Sequence, residues 1–357
     1  MVYASAIHIA FRLPGIHGIP FPWSMGFHWA FEPFLRWLLF RFSSLYSGIL
    51  FSSVVYFESS MIDEIRRKLL YGGGLFVFSH RPSSDALCRS AEQLIGEAFG
   101  PLPPREAQFR LPVEEYAAIL LKLKPRFIHD PKSKECIQAI LREFGCDLDK
   151  TYFDVPRLRT STAGGYLTTG IAYAWHPHRD TWYSAPHCQL NWWIPIHDLD
   201  ADDGIALHPR YWSVPVPNNS EIYNYYTWNS VHRAAAAQYI KEDPRPLPRP
   251  TEPVEIESEI RPVCQAGGVV MFSAAQLHSS VPNTSKKTRF SIDFRTVNID
   301  DVVSKRGAPN IDSRCTGTSL RDFLRASDFS RMPEDIVALY NDGTESTGDL
   351  VYKHPVS

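Results

Sequence analysis

From about residue 151 the chain breaks into short β-rich runs with turn residues between them, at 152–158, 166–175, 188–196, 268–272 and 289–297. Such spacing is the signature of an antiparallel sandwich or barrel. Between the third and fourth runs lies a helical insertion near 222–253, with a helix expected at 228–241. It is followed by a proline-rich stretch at 244–253 that reads as a semi-rigid connector.

Upstream, 59–150 reads as a helical region supporting the β-rich core. Ser59 and Ser60 precede a helical pattern over 61–71 that Gly72, Gly73 and Gly74 stop. A short strand is expected at 75–79, and helices at 85–98, 112–124 and 132–144. Downstream, 299–357 is a polar tail expected to wrap the surface, with one short helical candidate at 319–326. The fold class expected is therefore α+β.

At 357 residues the chain has room for one large domain or two ordinary ones. With 44% hydrophobic residues a sizeable core is available, and 37 basic against 39 acidic residues leave no basic excess for a nucleic-acid partner. The six cysteines are scattered without a CxxC pair, which fits a reducing, cytoplasmic setting. The first 58 residues form an aromatic, apolar extension. Glu32, Pro33, Arg36 and Arg41 interrupt it and leave 42–57, shorter than the roughly 20 apolar residues a bilayer requires. A docked helical extension is the expectation, with a membrane-surface anchor as the rival.

The chemistry concentrates where the second β-run ends, at Trp175-His176-Pro177-His178-Arg179-Asp180. In an extended strand, residues i and i+2 project to one face about 6.6 Å apart, so His178 and Asp180 can converge on one ion. Iron(II) held by two imidazoles and a carboxylate on one face keeps positions open for a co-substrate and dioxygen. An HxD triplet by itself is weak, since roughly one is expected by chance in a chain of this composition. Order and spacing add weight. A later hairpin carries Gly267 and Gly268, then Gln276-Leu277-His278, then Asn283, then Arg289-Phe290-Ser291.

Over 152–298 this pattern resembles the Fe(II)/2-oxoglutarate-dependent oxygenases, in particular the phytanoyl-CoA dioxygenase-like branch. The resemblance rests on the HxD triplet and on Gln189-Leu190-Asn191-Trp192-Trp193-Ile194-Pro195 followed by Asp198, Asp203 and Gly204. The closing Gly-Gly, His and Arg set completes it. It implies a double-stranded β-helix (jelly-roll) core with N-terminal helices packed around it, and iron(II) held by His178, Asp180 and His278. It further implies Arg289 salt-bridging the far carboxylate of 2-oxoglutarate. Ser291 lies on the same strand face, and one of Gln189 and Asn191 touches the co-substrate. Arginine suits that task because its planar fork offers two parallel hydrogen bonds. The implied reaction uses dioxygen to oxidise an aliphatic C–H of a small molecule, releasing succinate and CO2. Hydroxylation is the default outcome, with desaturation or cyclisation open to the same centre.

Rival readings stand beside these. His176 shares the face of His178 and Asp180, but the cupin alternative wants a glutamate a few residues on, and none occurs between His178 and Glu221. Arg289 could instead pair with Asp293, which would move the anchor to Arg295. Arg157 and Arg159 can receive a substrate carboxylate or pair with acids such as Asp154. Trp193, with Trp175, Trp182, Tyr183 and Trp192, lines the substrate pocket or fills the core. His187, His197 and His208 read as structural, His208 on a rim loop. A catalytically silent jelly-roll binder, or an iron oxygenase without 2-oxoglutarate, completes the alternatives.

Overall fold

The computed structural model describes residues 8–11, 54–172, 176–233, 239, 242–256 and 258–343. The apolar extension expected over 1–58 therefore lies outside the described residues, apart from its last five residues and the backbone of one strand, β1 (His8–Phe11).

Strand β2 (Val55–Phe57) precedes helix α1 (Asp63–Tyr71). This helix starts after Ile62 rather than at the serines. Asp63 and Glu64 complement the positive end of its dipole, and Asp63 accepts from Arg66 and Arg67 at 2.7 and 2.8 Å. Strand β3 (Leu75–Phe78) follows the glycines, then α2 (Pro82–Phe99), α3 (Val113–His129) and α4 (Pro131–Glu143). Helix α2 begins three residues before the expected 85, because Pro82 comes with its φ already set for a first turn. Helix α3 runs on through Pro125, whose lost hydrogen bond falls on the side of exposed Leu121, where water can replace it.

The β-rich part comprises β4 (Thr151–Phe153), β5 (Arg157–Ser161), β6 (Leu190–Pro195), β7 (Ile205–Leu207), β8 (Ile260–Val263), β9 (Val269–Ser273), β10 (His278–Ser280), β11 (Arg289–Asn298) and β12 (Leu324–Arg325). They form two sheets. The larger runs β12-β4-β11-β6-β9-β3-β2 with β5 also on β11, and the smaller runs β1-β8-β7-β10. All pairings are antiparallel except β2 with β3.

The ten-residue β11 divides core from site by alternation. Phe290, Ile292 and Phe294 point outward with Trp192, Ile194 and Met271. There they meet Leu87, Ala91, Leu120, Leu123, Ile137 and Ile140 of α2, α3 and α4 in one buried cluster. Each such side chain contributes about 1.5–3 kcal/mol by leaving water. Arg289, Ser291, Asp293 and Arg295 occupy the opposite face, turned toward the small sheet. Part of that space is closed by Trp193, Val270 and Phe272 against Ile205, Leu207 and Ile260.

Register explains a break in the first β-run. Phe153 pairs with Thr296 and Arg157 with Asp293, so three residues, Asp154 to Pro156, oppose two. This bulge turns the Asp154 carboxylate back to accept the Arg295 backbone N–H at 2.7 Å.

Three expectations are corrected. The strand expected over 166–175 is absent from its described part: Gly164, Gly165 and Gly170 hold φ of 62°, 69° and 61°, and the chain makes 3-10 turns at Ala163–Gly165 and Gly170–Ala172. Of the helix expected over 228–241, α5 (Tyr225–Thr227) and one π turn (Trp228–His232) are seen, and much of the rest lies outside the described residues. The segment after Asp300 is more than a surface wrap. Between α6 (Ile299–Val303) and α7 (Glu334–Ala338) the helix expected over 319–326 is a 3-10 turn, Ser319–Asp322, leading into β12. Its Leu320, Phe323, Met332 and Val337 bury against Tyr152 and Val297.

Among the described residues no helix is long and apolar enough to cross a membrane. All six cysteines are free.

Candidate metal centre and its cavity

His278 opens β10, and His178 meets it in an isolated antiparallel bridge. Arg179 is extended, with φ −111° and ψ 141°, so Asp180 falls on the side of His178 before the chain coils into a 3-10 turn, Asp180–Tyr183. The i, i+2 relation thus holds through a single extended residue rather than the long strand expected.

Backbone carbonyls fix both imidazoles. His178 Nδ1 donates to the His176 carbonyl at 2.8 Å and His278 Nδ1 to that of Gln276 at 2.9 Å, since a carbonyl can only accept. Nε2 is thereby the nitrogen that each ring turns toward Asp180. The two Nε2 atoms face Asp180 Oδ1 at 3.6 and 3.9 Å, and the ligating atoms of the three residues all lie within 4.8 Å of one another. One ion with bonds of about 2.0–2.2 Å fits among atoms so spaced. The three residues form a group able to hold a metal ion.

Protonation states suit that. Burial pulls the Asp180 carboxyl upward, but His178, His278 and the Asn191 amide outweigh it and hold it at about 2. Burial and the His178 ring push His278 down to about 4. At neutral pH the carboxylate is charged and this imidazole neutral, as ligation requires.

The second oxygen of Asp180 is tied down. Gln189 Nε2 donates to Oδ2 at 3.3 Å and to Asn191 Oδ1 at 3.1 Å, while Arg295 Nε lies 3.5 Å from Oδ2. Gln189 and Asn191, expected at the co-substrate, thus surround the carboxylate. Arg295 also reaches Asp154 at 3.3 Å and Asp293 at 3.5 Å, so its charge is already shared among three acids.

Arg289 differs. It is 5% exposed, its Nη1 donates to Ser291 Oγ at 3.1 Å, and its guanidinium lies 5.4 Å from the centre of the Trp193 ring. Its Nε has no partner, and among the described residues no carboxylate comes within ion-pair distance. Asp293, the expected rival, is held instead by Arg159 at 2.8 and 3.1 Å. Burial pushes the Arg289 guanidinium down to about 10, against the pull of Asp203 and Asp293.

These residues share one cavity of about 320 Å³ between the sheets. Arg157 and Arg159 lie on its wall, Arg157 bound to Asp154 at 2.5 Å. The insertion and the C-terminal segment supply walls that sequence reading missed: Tyr223, Tyr225, Trp228 and Arg233, the last 3.5 Å from Asp322. The density of aromatics over 223–228 was the available signal. Arg245, also on the wall, is bound to Asp243 at 2.5 Å. Lys124 of α3 lines the cavity too.

Other expected residues separate from the centre. His176 Nε2 donates to the Pro248 carbonyl at 2.8 Å, outside the metal-ligating group. His208 is buried, its Nε2 3.0 Å from Ser279 Oγ, and not on a rim loop. Trp182 is core, donating from Nε1 to Asp312 at 2.7 Å, and Trp192 packs in the core on the outward face of its strand, while Tyr183 and Trp193 reach the cavity. Trp175 lies outside the described residues. Arg179, the middle residue of the triplet, is 1% exposed and bonds Asp312 at 3.1 Å and the carbonyls of Ala275, Tyr211 and Val214 at 2.5, 2.6 and 3.1 Å.

No family model matches the chain, and neither does any curated protein. Among solved structures it is similar to EvdO2 from Micromonospora carbonacea var. aurantiaca, at 15% identity over 67% of this chain and 91% of that one, with a TM-score of 0.38. The same protein complexed with 2-oxoglutarate gives 15%, 67%, 91% and 0.37. The epimerase SnoN, in complex with Fe3+, alpha ketoglutarate and nogalamycin RO, gives 13% identity over 66% of this chain and 85% of that one, with a TM-score of 0.36.

Proposed function

We propose that this chain is a mononuclear non-haem iron(II) oxygenase that uses 2-oxoglutarate, built on a double-stranded β-helix and allied to the phytanoyl-CoA dioxygenase-like branch. The observation that carries the proposal is Arg289, a buried cation without a counter-ion among the described residues, on the wall of the cavity that His178, Asp180 and His278 enter. A buried charge left unpaired is strongly destabilising, so the site asks for an anionic guest beside the metal. A dicarboxylate fits, with one end on the ion and the other on Arg289 and Ser291.

With iron(II) and 2-oxoglutarate bound, such a centre uses dioxygen to oxidise a substrate C–H bond, releasing succinate and CO2. The chain's own residues orient and shield. The Gln276 and His176 carbonyls hold the imidazole tautomers, while Gln189 and Arg295 engage Asp180 Oδ2, so that His178, His278 and Asp180 would hold the iron. Trp193 supports the Arg289 guanidinium from one face. Arg157 and Arg159, each already neutralised, shape the substrate wall.

Metal content separates this reading from a silent binder, and succinate release separates it from an iron oxygenase with another reductant. Anaerobic titration with iron(II) and then 2-oxoglutarate, followed by assay of succinate release, tests the proposal. Failure of 2-oxoglutarate to bind the iron-loaded chain overturns it.

A further inference from the structure

Lys124 enters the cavity from the fourth turn of α3, directly before Pro125. Its amine donates to the Ile171 carbonyl in the 3-10 turn Gly170–Ala172, and among the described residues no carboxylate comes within ion-pair distance of it. Among the described residues, every other cation on the cavity wall except Arg289 lies within ion-pair distance of an acid. If Arg289 takes the far carboxylate of 2-oxoglutarate, Lys124 is left as the cation without an acidic partner.

We infer that Lys124 is the substrate's anchor, and that the substrate is a small organic carboxylate whose single negative charge docks on this amine beside Arg159. The inference rests on the oxygenase reading only in assigning Arg289 to the co-substrate. A carboxylate supplies the negative charge and the acceptor oxygens that one ammonium group can engage. The aromatic walls at Tyr183, Tyr223 and Trp228 suit a cyclic apolar body, and a cavity of about 320 Å³ that must also hold the co-substrate keeps it small.

The state of the amine agrees. Burial, with Arg159 adding to it and Asp293 opposing, pushes Lys124 down to about 7. A desolvated amine without an anion gives up its proton easily, and a docked carboxylate restores it. The alternative role is purely structural, with Lys124 fastening α3 to the turn at Ile171. The two differ in whether charge is recognised.

The test is calorimetric titration of the metal-free full chain with phenylacetate and with its neutral analogue phenylacetamide. The wild type is expected to prefer the anion by about tenfold or more, the worth of a charge-assisted hydrogen bond. Arg289 is also unpaired when the co-substrate is absent, so the comparison is made in the Arg289→Met background, where the preference should persist, where adding Lys124→Met should abolish it and where adding Lys124→Arg should keep it. Absence of a preference in Arg289→Met, including failure of either compound to bind, overturns the inference. So does a preference that survives in the Arg289→Met, Lys124→Met double variant. Because no metal is present, these outcomes are independent of the iron and 2-oxoglutarate titration that tests the oxygenase reading.

Discussion

His178 and His278 donate their backbone N–H groups to each other's carbonyl oxygens at 2.9 Å in both directions, and their rings stand 4.3 Å apart. Two segments distant in sequence are thus locked in register at the two imidazoles themselves. The Nε2 separation is then set by a backbone ladder rather than by flexible side chains.

Removal of any ligand from so small a group leaves no substitute. His178→Ala, Asp180→Ala and His278→Ala are each expected to lose the one iron(II) per chain, measured by metal analysis after anaerobic loading and desalting. His176→Ala should retain it, since that ring is engaged with Pro248. Full iron content in any of the three ligand variants would refute the assignment.

Gln189→Leu leaves the three ligands in place but frees Asp180 Oδ2. Its iron(II) affinity should fall by about 10–100-fold, the usual consequence of removing a group that orients a ligand. Competition with a chelator measures this. Affinity equal to the wild type would show that Arg295 alone holds the carboxylate.

Arg289→Lys replaces a planar fork by a point charge. The 2-oxoglutarate requirement should rise by roughly one to two orders of magnitude, from losing a charge-assisted pair worth about 1.5–3 kcal/mol. Anaerobic binding titration reads it directly. An unchanged requirement would return the anchor to Arg295 despite its three acidic partners.

Arg179→Met should act on stability. The arginine is buried against Asp312 and three carbonyls, so its loss strands both a charge and several acceptors. A loss of about 3–5 kcal/mol is expected in urea unfolding, with looser metal binding because Arg179 lies between His178 and Asp180 in the chain. A loss below about 1 kcal/mol would show that Arg179 is not a clamp.

Local pattern made much of the architecture legible. Period-2 alternation over 289–297 separates Phe290, Ile292 and Phe294 from Arg289, Ser291, Asp293 and Arg295, and the helical periodicities upstream match α1 to α4 to within a few residues at most boundaries. Glycines misled the reading of 166–175, because the β-branched and aromatic residues there suit a strand while positive φ at Gly170 and before Tyr166 breaks one. The polar composition after Asp300 hid buried Leu320 and Phe323, since a few apolar residues at the right spacing suffice to seal an edge.

Side-chain type and strand alternation are local properties, so residue order marks His178, Asp180 and His278 as a set able to meet at a metal and places Arg289 and Ser291 on one face of β11. The pairings come from the folded chain. Asp293 goes to Arg159 and Arg295, leaving Arg289 bare, Gln189 goes to Asp180, and Lys124 reaches the cavity from a helix remote in the chain. Coulomb attraction and hydrogen bonding act over a few ångströms between groups whose separation along the chain is unrelated to their separation in space, so register and packing alone determine which charge is neutralised and which is left for a ligand.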